Sequence, residues 1–169
     1  MVPSNNKTFL YHGSNVEVVK LELRISTHAL DFGTGFYTTL NLEQAKNFAA
    51  KVADREHSSK AIVSVYEIDF DTFKSSLKGL LFDSPTEEWL DFVSDNRSGK
   101  IQESPYDFIF GPVANDTIFK TFIAYQNGIL SKQDTIERLR VKKLYNQLVL
   151  KTSAAIEYLS FNRSFQVKV

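Results

Sequence analysis

Asp31-Phe32-Gly33-Thr34-Gly35-Phe36-Tyr37-Thr38-Thr39 reads as a glycine turn that runs into a short strand over Gly35 to Thr38. Gly33 and Gly35 carry no Cβ, so the backbone there can turn tightly and approach a neighbour or a ligand closely. Phe36-Tyr37 follows at once, and a Tyr ring offers a flat apolar face with a hydroxyl at its tip. Upstream, Lys7 to His12 reads as a strand that ends in Tyr11-His12-Gly13-Ser14. A His, glycine-exposed backbone and an aromatic face describe a pocket for a flat heterocycle and a sugar. The same Gly-x-Gly also suits a tight hairpin. It is not a dinucleotide-binding fingerprint, because the third glycine and the strand–helix context are missing, and the chain has no Walker A pattern.

Outward from that stretch, Asn15 to Thr27 shows no helical face and reads as a loop with extended pieces. Asn41 is placed to cap a helix through its side-chain oxygen. Leu42, Ala45, Phe48, Ala49 and Val52 then recur at helical spacing to about Arg55. Ala61 to Ile68 is the clearest strand, closed by Asp69-Phe70-Asp71, and Leu77 to Leu81 reads as another. Ser84-Pro85-Thr86-Glu87 carries the pattern of a capping box with Pro at the first helical position. Trp89, Leu90, Phe92 and Val93 supply that helix with an apolar face, and Asn96-Arg97-Ser98-Gly99 ends it. Tyr106 to Gly111 reads as a strand, Thr117 to Asn127 as a helix ended by Gly128, and Ser131 to Lys143 as a further helix. Asn146 to Thr152 alternates, with Leu148 and Leu150 on one face and Gln147 and Val149 on the other. Ser153 to Leu159 suits a helical turn and Ser160 to Val169 a last strand. Short strands with inserted helices and no linker or repeat predict one α+β domain over residues 1–169.

The bulk numbers exclude several classes. Hydrophobic residues make up 43%, enough for a core, and 20 basic residues balance 20 acidic ones. A net charge of zero gives no global footprint for nucleic acid. The basic run Arg138 to Lys143 reads as a solvated helix end. There is no cysteine, hence no disulfide and no thiol nucleophile. With no apolar signal core and no membrane-length apolar window, a cytoplasmic location is the expectation. His12, His28 and His57 lack the spacing of a helical zinc site, so no metal is expected. His57 reads as an exposed loop residue. Among the acids, Asp116 suits a helix cap and Asp31 a turn, while Asp107 sits in an apolar strand. Asp107 and Asp116 could flank a glycosidic bond, although sequence does not fix their separation.

Tyr11-His12-Gly13-Ser14, Asp31-Phe32-Gly33-Thr34-Gly35-Phe36-Tyr37 and Asn146-Gln147-Leu148-Val149 together resemble the three ordered motifs of the ADP-ribosyltransferase superfamily, in its His-Tyr-Glu branch. More closely, the chain is similar to the bacterial DUF3990 family, from about Phe9 to about Phe161. The resemblance implies a split β-sheet core with flanking helices. It implies NAD as substrate, bound by His12, Gly13, Ser14, Gly35, Phe36 and Tyr37. His12 would bond the nicotinamide-side ribose, Gly13 would meet the carboxamide, and Tyr37 would stack on the nicotinamide ring. It implies His12, Tyr37 and the motif-three residue as the catalytic set. That residue is a Glu in the branch and Gln147 here. A carboxylate accepts hydrogen bonds and steadies a developing cation, whereas an amide is neutral and no base. Four readings follow: transfer of ADP-ribose to a macromolecular acceptor without the Glu, transfer with Asp107 or Asp116 standing in, weak hydrolysis of NAD as a glycohydrolase, or binding of NAD or ADP-ribose without catalysis. A partner-binding role, as in a toxin–antitoxin or defence pair with a cognate antitoxin or other partner protein, is the alternative of a different class.

Overall fold

A computed structural model describes residues 6–23, 30–101, 103–112, 116–140 and 144–168. The strands are β1 (Lys7–Ser14), β2 (Phe36–Thr39), β3 (Ala61–Asp69), β4 (Gly79–Leu81), β5 (Phe108–Pro112), β6 (Asn146–Leu150) and β7 (Ser160–Val167). The helices are α1 (Leu42–Arg55), α2 (Phe70–Ser76), α3 (Glu87–Arg97), α4 (Asp116–Gln126), α5 (Lys132–Arg140) and α6 (Ser153–Ile156). The strands form one sheet in the order β4-β5-β6-β2-β1-β3-β7. Only β4 and β5 run parallel; the other neighbours are antiparallel. This is the α+β domain that the alternation of elements predicts.

Strand alternation sorts the side chains onto two faces. On one face Leu10, Phe36, Tyr66, Ile68, Phe108, Leu148 and Leu150 form a continuous core closed by Phe73 of α2 and Ala155 of α6. The other face carries two separate clusters. Ala45, Ala49 and Ala53 of α1 lie on Val63 and Val65 of β3. Trp89, Leu90 and Val93 of α3, with Ile136 and Leu139 of α5, lie on Ile109 of β5 and Val149 of β6. Between these helix layers the sheet is split. β1 and β2 share a single register pair, Tyr11 with Thr39, whereas β1 and β3 pair along their whole length.

Several boundaries differ from the sequence expectation. Helix α3 is capped by Thr86, whose Oγ1 accepts from the Trp89 amide at 3.2 Å. The Thr86 amide instead bonds the Ser84 carbonyl at 2.9 Å in a tight turn over Pro85, and the helix starts beyond it. Helix α2 was not expected; Asp69 caps it by accepting from the Thr72 amide at 3.1 Å. Strand β5 includes Pro112, whose carbonyl accepts from the Trp89 indole at 2.9 Å. His57 is exposed as expected, and its φ of 51° ends α1 in a left-handed turn. Parts of three expected features, the loop through Thr27, the connection over Val113 to Asn115 and the helix end over Val141 to Lys143, lie outside the described residues, as does His28. Arg138 and Arg140 are exposed in the last turn of α5. None of the described helices is long and apolar enough to cross a membrane.

Candidate functional site

Where β1 and β2 part, a cavity of about 490 Å³ opens between α1, the segment 15–23 and the end of α3. That size falls within the range of small-molecule sites. His12 and Gly13 from β1, Gly35, Phe36 and Tyr37 from the second motif, and Gln147 from β6 all line it. Ser14 is on β1 but is not part of the cavity wall.

His12 bridges the split. Its Nδ1 lies 2.7 Å from the Tyr37 carbonyl oxygen. A carbonyl only accepts, so Nδ1 carries the proton and donates. Burial pushes the imidazole below its usual value of 6.5, opposed by the bond to Tyr37. The ring is therefore neutral near pH 7, and Nε2 is an acceptor. Phe36 stacks against it, with ring centroids 4.5 Å apart and planes inclined by 27°.

Tyr37 lines the cavity, while its hydroxyl is engaged in the glycine turn. The hydroxyl donates to the Gly33 carbonyl at 2.5 Å and accepts from the Phe32 amide at 3.2 Å. Burial pushes the phenol far above its ordinary value. Lys151 braces the same turn from behind, donating to the Phe32 carbonyl at 2.7 Å, and burial lowers its ammonium to about 8. Gly33 has a φ of 73°, a conformation that favours glycine. Gly35 lies against β6, where a Cβ would come within 2.6 Å of Val149 Cγ1. Both glycines thus have packing and backbone reasons of their own.

Gln147 is only 6% exposed, and its Nε2 has no hydrogen-bond partner among the described residues. An unsatisfied buried donor costs about 1–3 kcal/mol. The Cα register places Gln147 opposite Thr39 and Val149 opposite Tyr37, so Gln147 and the Tyr37 ring share one face. Thr39 Oγ1 donates to Gln44 Oε1 at 2.7 Å, fixing the Gln44 side chain at the cavity wall.

Phe48, Asp31 and Arg97 are among the wall residues that the sequence reading does not place in the site. Phe48 shares the helical spacing of the apolar residues of α1, yet it is 51% exposed and lines the cavity. The alanines at 45, 49 and 53 take the sheet contact, and Phe48 overhangs from the edge of that stripe. Asp31 and Arg97 form an ion pair in the wall. Arg97 Nη2 and Nε lie 2.5 and 2.6 Å from Asp31 Oδ1, and the guanidinium stands 4.8 Å from the centre of the Phe122 ring. The helix-ending position of Arg97 and the turn position of Asp31 each hid this contact.

Asp107 does not join the cavity. Its carboxylate accepts from the Lys78 amide at 3.0 Å and the Thr152 hydroxyl at 2.8 Å, tying β4, β5 and α6 together. Helix α4 begins at Asp116, whose side chain lies outside the described residues. Among the described residues, no group of His, Asp and Glu is arranged to hold a metal ion.

A family model described as a protein of unknown function (DUF3990) matches residues 8–161. No curated protein and no solved structure matches the chain. The matched span contains β1 from Thr8 onward, the glycine turn and β6, and so every cavity residue named above. The chain belongs to the DUF3990 family.

Proposed function

We propose that the cavity binds NAD and cleaves its nicotinamide–ribose bond, passing ADP-ribose to a macromolecular acceptor in the manner of an ADP-ribosyltransferase. One observation carries this reading. His12, Gly13, Tyr37 and Gln147, the positions that match the three superfamily motifs, line a single cavity although they come from three strands. Each offers what the ligand needs. The Tyr37 ring and the overhanging Phe48 supply apolar faces for a flat heterocycle. His12 Nε2 can accept from a ribose hydroxyl, and Gln147 Nε2 can donate to a neighbouring oxygen, ending its unpaired state. Gly13 lines the cavity beside His12.

Incubation with NAD labelled in both halves tests the reading. Nicotinamide release with label transferred to a macromolecule supports it; no release and no binding overturns it. Saturable calorimetric binding of NAD without release supports the second reading, a binding module. The neutral Gln147 at the carboxylate position favours that outcome.

Phe48 provides a clean variant because it is half exposed and carries little of the core. Phe48→Ala is expected to weaken NAD binding about 3–10-fold, the worth of one aromatic contact. The unfolding midpoint should stay within about 2 °C of wild type. Calorimetry and a thermal melt check the two halves.

A further inference from the structure

We propose that Asp31 is the anionic group of this site, giving the ribosyl cation the negative charge that Gln147 cannot. The inference rests on the transferase reading above. In that reaction the bond between ribose C1′ and the nicotinamide nitrogen breaks, and its electron pair leaves with nicotinamide, which becomes neutral. Positive charge passes to C1′ and the ring oxygen. An acceptor oxygen or nitrogen then bonds C1′ and releases its proton to water. A fixed negative charge near the ribose favours the middle of this sequence over its start.

Among the described residues Asp31 is the one carboxylate in the buried class, at 6% exposed, and it lines the same cavity as His12 and Gln147. The other acid of the wall, Glu22, is exposed and would act through solvent. Asp31 is also rigidly held. It opens the turn whose Phe32 amide bonds the Tyr37 hydroxyl, and Arg97 clamps Oδ1 through two nitrogens. Arg97 is fixed in turn over the Phe122 ring. A guanidinium at this distance favours the ionised carboxylate, so Arg97 is a positioning residue that keeps a buried charge in place. Asp31 directly precedes Phe32, whose amide bonds the Tyr37 hydroxyl, so the carboxylate sits beside the residue proposed to meet nicotinamide. A buried ion pair contributes little net stability against an apolar replacement, so its place in a cavity wall fits a role in the site.

The test separates charge from structure. Asp31→Asn should bind NAD within about fivefold of wild type, yet release nicotinamide about 100-fold more slowly, the scale of losing one preorganised electrostatic group. Adding Gln147→Glu to that variant should restore release at least about tenfold, because a negative charge returns to the same cavity. If Asp31→Asn does not fold, Asp31→Asn with Arg97→Gln replaces the ion pair by an amide pair, and the same loss and rescue are expected. Wild-type rates in either folded variant, or a loss that Gln147→Glu leaves unchanged, overturn the role of Asp31 alone. A wild-type protein that releases no nicotinamide overturns the transferase reading and this role with it.

Discussion

Gly13→Ala is expected to destabilise the domain by about 2–3 kcal/mol, the upper range for overpacking a tight contact. An alanine Cβ at this position would overlap the Ala45 carbonyl oxygen and stand 2.7 Å from the Ala49 amide nitrogen. Both obstacles are helix backbone, so no side-chain rotation relieves the clash. Helix α1 must move off β1. That movement loosens Ala45, Ala49 and Ala53 from Val63 and Val65, and it shifts Gln44 and Phe48 away from the cavity. For a domain of this size the loss corresponds to a fall of about 5–10 °C in the unfolding midpoint. A thermal melt and a urea titration measure it. An unchanged midpoint would mean that α1 does not rest on the Gly13 backbone. Gly13 thus serves two purposes, since the contact that brings the helix down also sets the wall beside His12.

Gly13 also illustrates which parts of the molecule are legible in the sequence. Periodicity identifies which side of an element is buried, and it does so well here. Asn41 caps α1 by accepting from the Gln44 amide at 2.8 Å, β3 spans Ala61–Asp69, and the alternation of β6 puts Gln147 and Val149 on one face. Local pattern says nothing of what fills the space between layers. A glycine beside a His reads equally well as an open edge for a ligand or as a seat for a helix. Phe48 fits the apolar rhythm of α1, yet Ala45, Ala49 and Ala53 form the contact with the sheet and Phe48 stays half exposed, because Gly13 lets the helix come so close. Asp31 and Arg97 are far apart in the chain, and each has a satisfactory local reading as a turn residue and a helix end. Their contact arises only when α3 packs over β6 and brings its last turn to the glycine turn. The short helix α2 was missed because its single buried anchor, Phe73, sets up no period. The site positions themselves were named from motif resemblance; their meeting in one cavity follows from the split between β1 and β2, which no local pattern encodes.

His12 joins both halves of that split, and its variants should divide into two kinds. His12→Ala removes the Tyr37 bond and the cavity acceptor together. It is expected to lower nicotinamide release by about 10²–10³-fold, the cost of one preorganised group in a dry site, and to lower stability as well. His12→Asn is more informative. An Asn amide can donate from roughly where Nδ1 stands, keeping the bond to the Tyr37 carbonyl, but it places nothing where Nε2 would be. This variant should retain most of the unfolding midpoint and still lose release. Equal losses of stability in both variants would assign His12 to packing alone. The imidazole also sets an acid limit. Burial lowers its folded pKa below the unfolded value of 6.5. Between those two values the unfolded chain binds more protons, so stability rises with pH through this window and is complete above about 6.5. Acidification below that point should therefore destabilise the wild type, while His12→Asn, with nothing to titrate there, should show a shallower loss. Urea midpoints at about pH 7.5 and pH 5.5 compare the two. Release by the folded protein should persist below pH 6.5 and fall only as pH passes through the lowered folded pKa, because a proton on Nε2 turns the acceptor of a ribose hydroxyl into a donor and adds positive charge beside a forming cation.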